Sequence, residues 1–244
     1  MNAFFGYETC AGLDAAGVDA LAQLGDPECR HRAGETFQRE GDASKGFYLH
    51  LRGWIISSVL LSDGNRMVQN VHLPGDVIGL LNVAVQRAAG SLTAVTDAST
   101  SFVPFQRLQQ LLTRLPEAAM RIAYSQQVEH LSMIDKLATI ASGSARQRLA
   151  TFLIDLHDRL TAVGEVKDDT FTIPLTQKII GDALGLTGVH VNRCLRGLEE
   201  DGLVSRRRRV VQIRNVAALR AEASAVLHRP ILPIAHFLQP FETV

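Results

Sequence analysis

The stretch whose reading decides the fold is Leu175-Thr176-Gln177-Lys178-Ile179-Ile180-Gly181-Asp182-Ala183-Leu184-Gly185-Leu186-Thr187-Gly188-Val189-His190-Val191-Asn192-Arg193-Cys194-Leu195-Arg196-Gly197-Leu198-Glu199-Glu200-Asp201-Gly202. Thr176 sits where a helix N-cap belongs, because its hydroxyl can accept from an otherwise orphaned amide of the first turn. Gly185 follows the last apolar residue, as a left-handed C-cap does. Thr187 then caps a second helix that runs to about Asp201 and ends at Gly202. Helix, short glycine turn, helix is the arrangement that offers its second helix to the major groove of DNA.

The second helix has two faces. Val191, Leu195 and Leu198 recur at i, i+4, i+7 and should pack inward, with Cys194 leaning to the same side as a small buried thiol. Val189, His190, Arg193 and Arg196 are left for the outer face, with Asn192 at its edge. Arginine can pair in bidentate fashion with guanine, and asparagine with adenine. Val189, His190, Asn192 and Arg193 are therefore the candidate base readers. Downstream, Leu203-Val204-Ser205-Arg206-Arg207-Arg208-Arg209-Val210-Val211-Gln212-Ile213-Arg214 places two short β runs around a turn of arginines. Beside a helix-turn-helix this reads as a wing. Arg206, Arg207, Arg208 and Arg209 would meet phosphates, together with Arg196 and the helix-start residues Thr176, Gln177 and Thr187.

Working toward the N-terminus, Ser144 should cap a helix with the stripe Leu149, Phe152, Leu153, Leu156 and Leu160. Between Glu117 and Ser142 there is neither Gly nor Pro. Ala119, Ala123, Gln126, His130, Met133, Leu137 and Ile140 follow a 4-3-4-3-4-3 spacing there, a heptad-like seam on one long helix. Two readings fit that seam: a helix packed on its own domain, and a two-stranded dimer helix whose polar positions fix register. The length favours the dimer. From about residue 30 to 105, short apolar runs alternate with glycine turns: Phe47–Leu51, Trp54–Leu60 and Met67–Leu73, the last two separated by Asp63-Gly64. That dipeptide is a hairpin signal, and the spacing suggests a small barrel or sandwich.

Charge follows the same division. Residues 1–145 carry 11 Lys+Arg against 14 Asp+Glu, and residues 146–229 carry 14 against 10, although the whole chain is formally neutral. The basic half contains the helix-turn-helix. Cys10, Cys29 and Cys194 are few, odd in number and far apart, so neither a zinc ribbon nor a disulfide framework is indicated, and no metal site is expected. No secretory leader and no run of about 18 uncharged apolar residues is present, which predicts a cytoplasmic protein without membrane contact. No phosphate-cradling glycine loop, nucleophile elbow, zinc-protease motif or Cys–His pairing appears, so an enzyme is not expected.

Three segments resemble the Crp/Fnr family of bacterial transcription regulators, over roughly residues 20 to 220. They are Gly34-Glu35-Thr36 … Gly41-Asp42 … Gly46-Phe47-Tyr48-Leu49; Pro74-Gly75-Asp76-Val77-Ile78-Gly79; and Leu184-Gly185-Leu186-Thr187 … Val191-Asn192-Arg193 … Leu198–Val204. The resemblance implies an α+β chain: a β-roll sensor like a cyclic-nucleotide-binding domain (1–115), a dimerisation helix (116–142) and a winged helix-turn-helix (143–225). The apolar tail (226–244) extends past the family's usual end and is expected to pack, since exposed Phe237, Leu238 and Phe241 would form a sticky patch. It also implies a homodimer on an inverted repeat of double-stranded DNA, and leaves RNA polymerase open as a partner.

The departures from the family pattern are specific. Members that bind cyclic AMP follow the cassette glycine with Glu, whereas Gly79 is followed here by Leu80 and Leu81. Their Arg-Ser pair for the cyclic phosphate is matched only loosely by Arg87 and Ser91. These five residues mark the expected effector pocket, but an apolar Leu80 cannot bond a ribose hydroxyl, which argues against cyclic AMP. Cys10 and Cys29 cannot supply the four ligands of an iron–sulfur cluster. A haem would need an axial histidine such as His31 or His72, and both are better read as strand residues. The effector is left unidentified. Relatives also place Glu where Val189 stands, so a guanine contact through Arg193 is kept while a neighbouring base is read differently. The competing reading is a ligand-binding or interaction module whose helix-turn-helix contacts protein. The arginine run argues against it.

Overall fold

The computed structural model describes residues 25–114 and 116–223. The expected packing of the 226–244 tail and the position of Cys10 lie outside these residues.

The sensor half is built from two four-stranded antiparallel sheets. The first has the order β1 (Cys29–His31), β8 (Ala98–Pro104), β3 (Gly46–Arg52), β6 (Val77–Ile78). The second has the order β2 (Thr36–Gln38), β7 (Ser91–Ala94), β4 (Ile55–Leu60), β5 (Arg66–His72). Strand alternation divides the apolar side chains of β3 between two cores. Tyr48 points between the sheets, against a cluster of Ile55, Ile78, Leu92, Ala94 and Ala98. Phe47, Leu49 and Leu51 point the other way, toward α2 (Phe105–Arg114) and Ile122 of α3 (Pro116–Ser142). The predicted hairpin is present: β4 and β5 pair from Ile55↔His72 to Leu60↔Arg66, and Asp63 Oδ1 accepts from the Asn65 amide in the turn. The short helix α1 (Asn82–Val85) is too brief for the sequence pattern to mark, whereas α2 carries a clear helical stripe of Phe105, Leu108, Leu111 and Leu112.

The helix over 116–142 forms as the uninterrupted stretch predicts, and Gly143 breaks it. Ser144 then caps α4 (Ala145–Ala162) in a full capping box: its hydroxyl accepts from the Gln147 amide, and Gln147 Oε1 accepts from the Ser144 amide. The polar loop after α4 leads into β9 (Thr170–Thr172), a strand the sequence does not announce. α5 (Gln177–Leu184), α6 (Gly188–Glu200), β10 (Val204–Arg207), β11 (Val210–Ile213) and α7 (Val216–Ala223) complete the chain. β9 adds to the wing, giving a three-stranded sheet of order β10-β11-β9.

One apolar core runs through both halves. Val68, Val71 and Leu73 of the sensor belong to the same cluster as Leu149, Leu153, Leu156, Val191, Leu195 and Leu198. The outer face of the second sheet is thus a seat for the helical half, not a free surface. Among the described residues no helix is long and apolar enough to cross a membrane.

Candidate nucleic-acid interface

The two caps at the start of α5 and α6 are formed as read. Thr176 Oγ1 accepts from the Ile179 amide and Thr187 Oγ1 from the His190 amide, each at 3.2 Å. Both threonines are exposed, and each hydroxyl keeps its own proton for an outside acceptor. Gly185 takes the left-handed conformation with φ 65° and closes α5 by donating to the Gly181 carbonyl. Gly181 is needed for a different reason: a Cβ there would lie 2.4 Å from the Leu186 carbonyl oxygen, so the turn could not close this tightly over α5.

α6 divides as the spacing predicts. Val191, Leu195 and Leu198 are buried, and Cys194 packs half-buried beside them, where burial pushes its thiol up from its ordinary pKa. Val189 is 73% exposed, a high value for an aliphatic side chain, and His190, Arg193 and Arg196 are exposed with it. Among the described residues, Arg193 and Arg196 make no hydrogen bond or ion pair. The same holds for the side chains of Arg207, Arg208 and Arg209 at the wing tip, where Arg208 takes φ 57° to turn the chain. Val189, His190, Arg193 and Arg196 therefore form one outward face with the wing arginines beside it.

Three residues grouped with that face, Gln177, Asn192 and Arg206, have partners within the chain. Asn192 is half-buried, and its Oδ1 accepts from Gln177 Nε2 at 3.1 Å and from Arg206 Nη2 at 3.4 Å. Arg206 is itself half-buried, and its backbone amide donates to Glu199 Oε1. Gln177, Asn192, Arg206 and Glu199 thus link α5, α6 and β10. The acceptor that Asn192 would offer an adenine is already engaged within the protein, and Arg206 is not poised outward like its three neighbours. Sequence spacing places Asn192 at the edge of the face but cannot show what that edge touches.

The structure also reveals a joint between the sensor and this head. Arg66, beside the turn of the β4–β5 hairpin, donates through Nε and Nη2 to Asp182 Oδ2 of α5, at 3.1 and 2.9 Å. Arg159 of α4 reaches Asp76 of the Pro74-Gly75-Asp76 turn at 2.8 Å. Arg148 donates to the carbonyls of Ile140, Gly143 and Leu184, clamping the end of α3, the break and the end of α5 together. No motif in the sequence singles out these arginines.

The long helix has two used faces. Ile122, Lys136 and Thr139 turn toward the body, and Lys136 Nζ bonds Asn70 Oδ1 at 2.7 Å. Ala123, His130, Met133, Leu137 and Ile140 of the seam lie exposed on the other side, joined by Met120 and Ile134. Gln126 is half-buried and donates to Glu129 at 3.4 Å, and the Ala119 side chain lies outside the described residues. Leu137 is 66% exposed, so the seam remains open in a single chain.

Residues 28–114 match the cyclic nucleotide-binding domain family and residues 147–222 the Crp-like helix-turn-helix domain family. The chain is 33% identical over 201 residues to the nitrogen fixation regulation protein FixK of Bradyrhizobium diazoefficiens, a match covering 80% of this chain and 81% of that protein. The chain belongs to the Crp/Fnr family of transcription regulators. The transcriptional activator protein FnrA of Stutzerimonas stutzeri is 25% identical over 214 residues, covering 88% of this chain and 86% of FnrA. The solved structure of FixK2 from Bradyrhizobium japonicum superimposes with a TM-score of 0.73 at 28% identity, covering 81% of this chain and 97% of that one.

The residues at the family's cyclic-nucleotide cassette do not fit that ligand in this Crp/Fnr chain. Leu80 packs against the Phe47–Leu49–Val103 core where a carboxylate would be needed. Arg87 is exposed and its Nη1 donates to the Gly41 carbonyl at 2.8 Å, and Ser91 Oγ accepts from the Glu40 amide. Leu81 is exposed, and Gly79 serves a turn with φ 80° that brings it over Asn82. Asn82 is buried and ties the segment down, accepting from the Ala89 amide and donating to Ser44. His31 and His72 are strand residues with engaged rings. His31 Nε2 pairs with Thr100 Oγ1 and its ring stacks on Phe37, while His72 Nε2 pairs with Ser57 Oγ.

Proposed function

We propose that the protein is a homodimer that reads an inverted repeat through α6, with Arg193 taking a guanine in each half-site. The observation that carries this is the outward face of α6. A guanidinium without an internal partner among the described residues stands beside an exposed valine and histidine, on a helix whose opposite face is wholly committed to the core. Arg193 supplies the bidentate donor, and Val189 offers a methyl surface suited to thymine. Thr176, Thr187, Arg196, Arg207, Arg208 and Arg209 hold phosphates. Gln177, Asn192 and Arg206 position α6 against α5 and the wing.

The exposed seam of α3 supports the dimer. An apolar stripe on a helix of 27 residues, already seated on its own domain by the opposite face, has a reason to be outward only if another chain covers it. Reading DNA places the protein in the cytoplasm. The effector is not cyclic AMP, since neither a carboxylate nor an unengaged arginine stands where that ligand needs one.

The deciding experiment is selection of bound duplexes from random DNA by the full-length protein. Enrichment of an inverted repeat with an invariant guanine in each half is expected. Recovery of unselected sequence, or of a single half-site, would overturn the assignment.

A further inference from the structure

A cleft of about 580 Å³ lies between the sensor and the helical half. Val71 and Leu73 of β5, Leu131 of α3, Phe152 of α4 and Leu184 of α5 give it an apolar lining. Its volume falls in the range of small-molecule sites, and such sites favour domain interfaces. The cassette of Gly79, Leu80, Leu81, Arg87 and Ser91 is absent from its walls.

The polar focus of the cleft is Lys136. It is half-buried, desolvation lowers its pKa against the opposing charges of Asp155, Glu129 and Asp76, and of its three N–H donors only one has a protein acceptor within hydrogen-bond distance among the described residues, Asn70 Oδ1. A half-buried ammonium with donors left over is a ready seat for a further acceptor. Asp76 and Asp155 are held by Arg159, and Asp158 by Arg220 and His157, so these carboxylates are already partnered. Glu129, two turns before Lys136 on the same face of α3, accepts from Asn70 Nδ2 and Gln126 Nε2, and burial raises its pKa. Asp76, Glu129, Asp135, Asp155 and Asp158 line the cleft beside Lys136, Arg148, Arg159 and Arg220, so a ligand is held to a single negative charge seated at Lys136.

We propose that this interdomain cleft binds a small monocarboxylate with an apolar body, its carboxylate on Lys136 and its chain against Val71, Leu73, Leu131 and Phe152. Because β5 and the Asp76 turn form one wall and α4 and α5 the other, an occupant touches both halves. It therefore weights the arrangements in which Arg66–Asp182 and Arg159–Asp76 are closed.

The test is calorimetric titration of the full-length protein, without DNA, with straight-chain carboxylates from butanoate to dodecanoate and with octanamide as the uncharged match of octanoate. Saturable binding of one carboxylate per chain is expected, with octanamide about tenfold or more weaker. Lys136→Met should bring octanoate down to the level of octanamide, and Leu131→Trp, which fills the cleft, should remove binding of both. Unfolding midpoints of the two variants, measured alongside, show that the cleft is being read and not a collapse of the fold. Failure of every carboxylate to saturate in the millimolar range, equal binding of acid and amide, or affinity unchanged in both variants would overturn the proposal. None of those results bears on the DNA-reading assignment, which the titration does not involve.

Discussion

Two arginine-bearing segments of this molecule, the cassette around Arg87 and the reading head, behave oppositely in structure. In the sensor cassette, Arg87 is turned back onto the Gly41 carbonyl, Ser91 holds the Glu40 amide and Asn82 is locked between Ser44 and Ala89. In the reading head, the guanidinium groups of Arg193, Arg196 and Arg207 to Arg209 have no hydrogen-bond or ion-pair partner among the described residues, while Gln177, Asn192 and Arg206 behind them bond to one another. A polar group already satisfied within the chain contributes to folding, and a polar group left open contributes to recognition. In the cassette, Leu80 packs on the Phe47–Leu49–Val103 core and the polar groups around it pair with each other.

The contrast breaks most easily at the seam, where apolar groups instead of polar ones are left open. Leu137→Glu sets a charge on each chain within that stripe. Dimer mass should disappear in native mass spectrometry or sedimentation, and affinity for a two-half-site operator should fall by about 100-fold or more, since each head must then bind alone. A stable monomer that keeps full operator affinity would show the stripe to be covered by something other than a second copy.

Within the head, Arg193→Ala should cost about 1–3 kcal/mol on the selected operator and remove discrimination at one base pair of each half-site. Arg207→Ala with Arg208→Ala should weaken selected and unrelated duplexes alike, and lower the salt slope by about 0.9 for each phosphate that is no longer neutralised. A gel-shift series against salt separates the two. A sequence-selective loss in the wing variant, or a uniform loss in Arg193→Ala, would reverse the roles assigned to them.

How much of this is legible in the sequence depends on distance along the chain. The caps at Ser144, Thr176 and Thr187, the left-handed Gly185, the Asp63-Gly64 turn and the two faces of α6 all depend on neighbours within a few residues, and all are readable. The bond between Arg66 and Asp182 spans 116 residues, and the Arg159–Asp76 pair spans 83. No local pattern marks such partners. Asn192 shows the same limit at short range. Helical spacing puts it at the rim of the reading face, but only the packing of α5 and β10 shows its oxygen occupied. The seam of α3 admits two readings in sequence, and the helix packs on its own domain with one face while leaving the seam face open.

Acid should expose the inward commitment of the sensor. His72 is fully buried, and desolvation, ahead of its charged neighbours, lowers its pKa from 6.5 to about 3. The folded state therefore refuses a proton that the unfolded chain accepts below pH 6.5. Stability from this group is complete above pH 6.5 and is lost progressively as pH falls from there toward 3. Between pH 7 and 5 the loss is about 2 kcal/mol. His31 and His50 are shifted in the same direction by burial and add to the slope. His72→Gln, which can still meet Ser57, should flatten the pH dependence of the urea midpoint by about one proton in that window. An unchanged slope would mean that His72 is protonated in the folded protein.

The smallest expected effect tests the contrast most directly. Arg87→Ala removes an exposed side chain whose hydrogen bond is to a backbone carbonyl already near solvent, so it should cost about 0.5–1 kcal/mol of stability and no more. Operator affinity should be unchanged, and cyclic AMP should alter the binding of neither the parent nor the variant. Exposure alone would make Arg87 look as available as Arg193. The two substitutions remove the same chemical group from opposite ends of the molecule. Equal losses of operator affinity from both would mean that Arg87 takes part in signalling despite its engagement with Gly41, and the boundary drawn between committed and open polar groups would have to move.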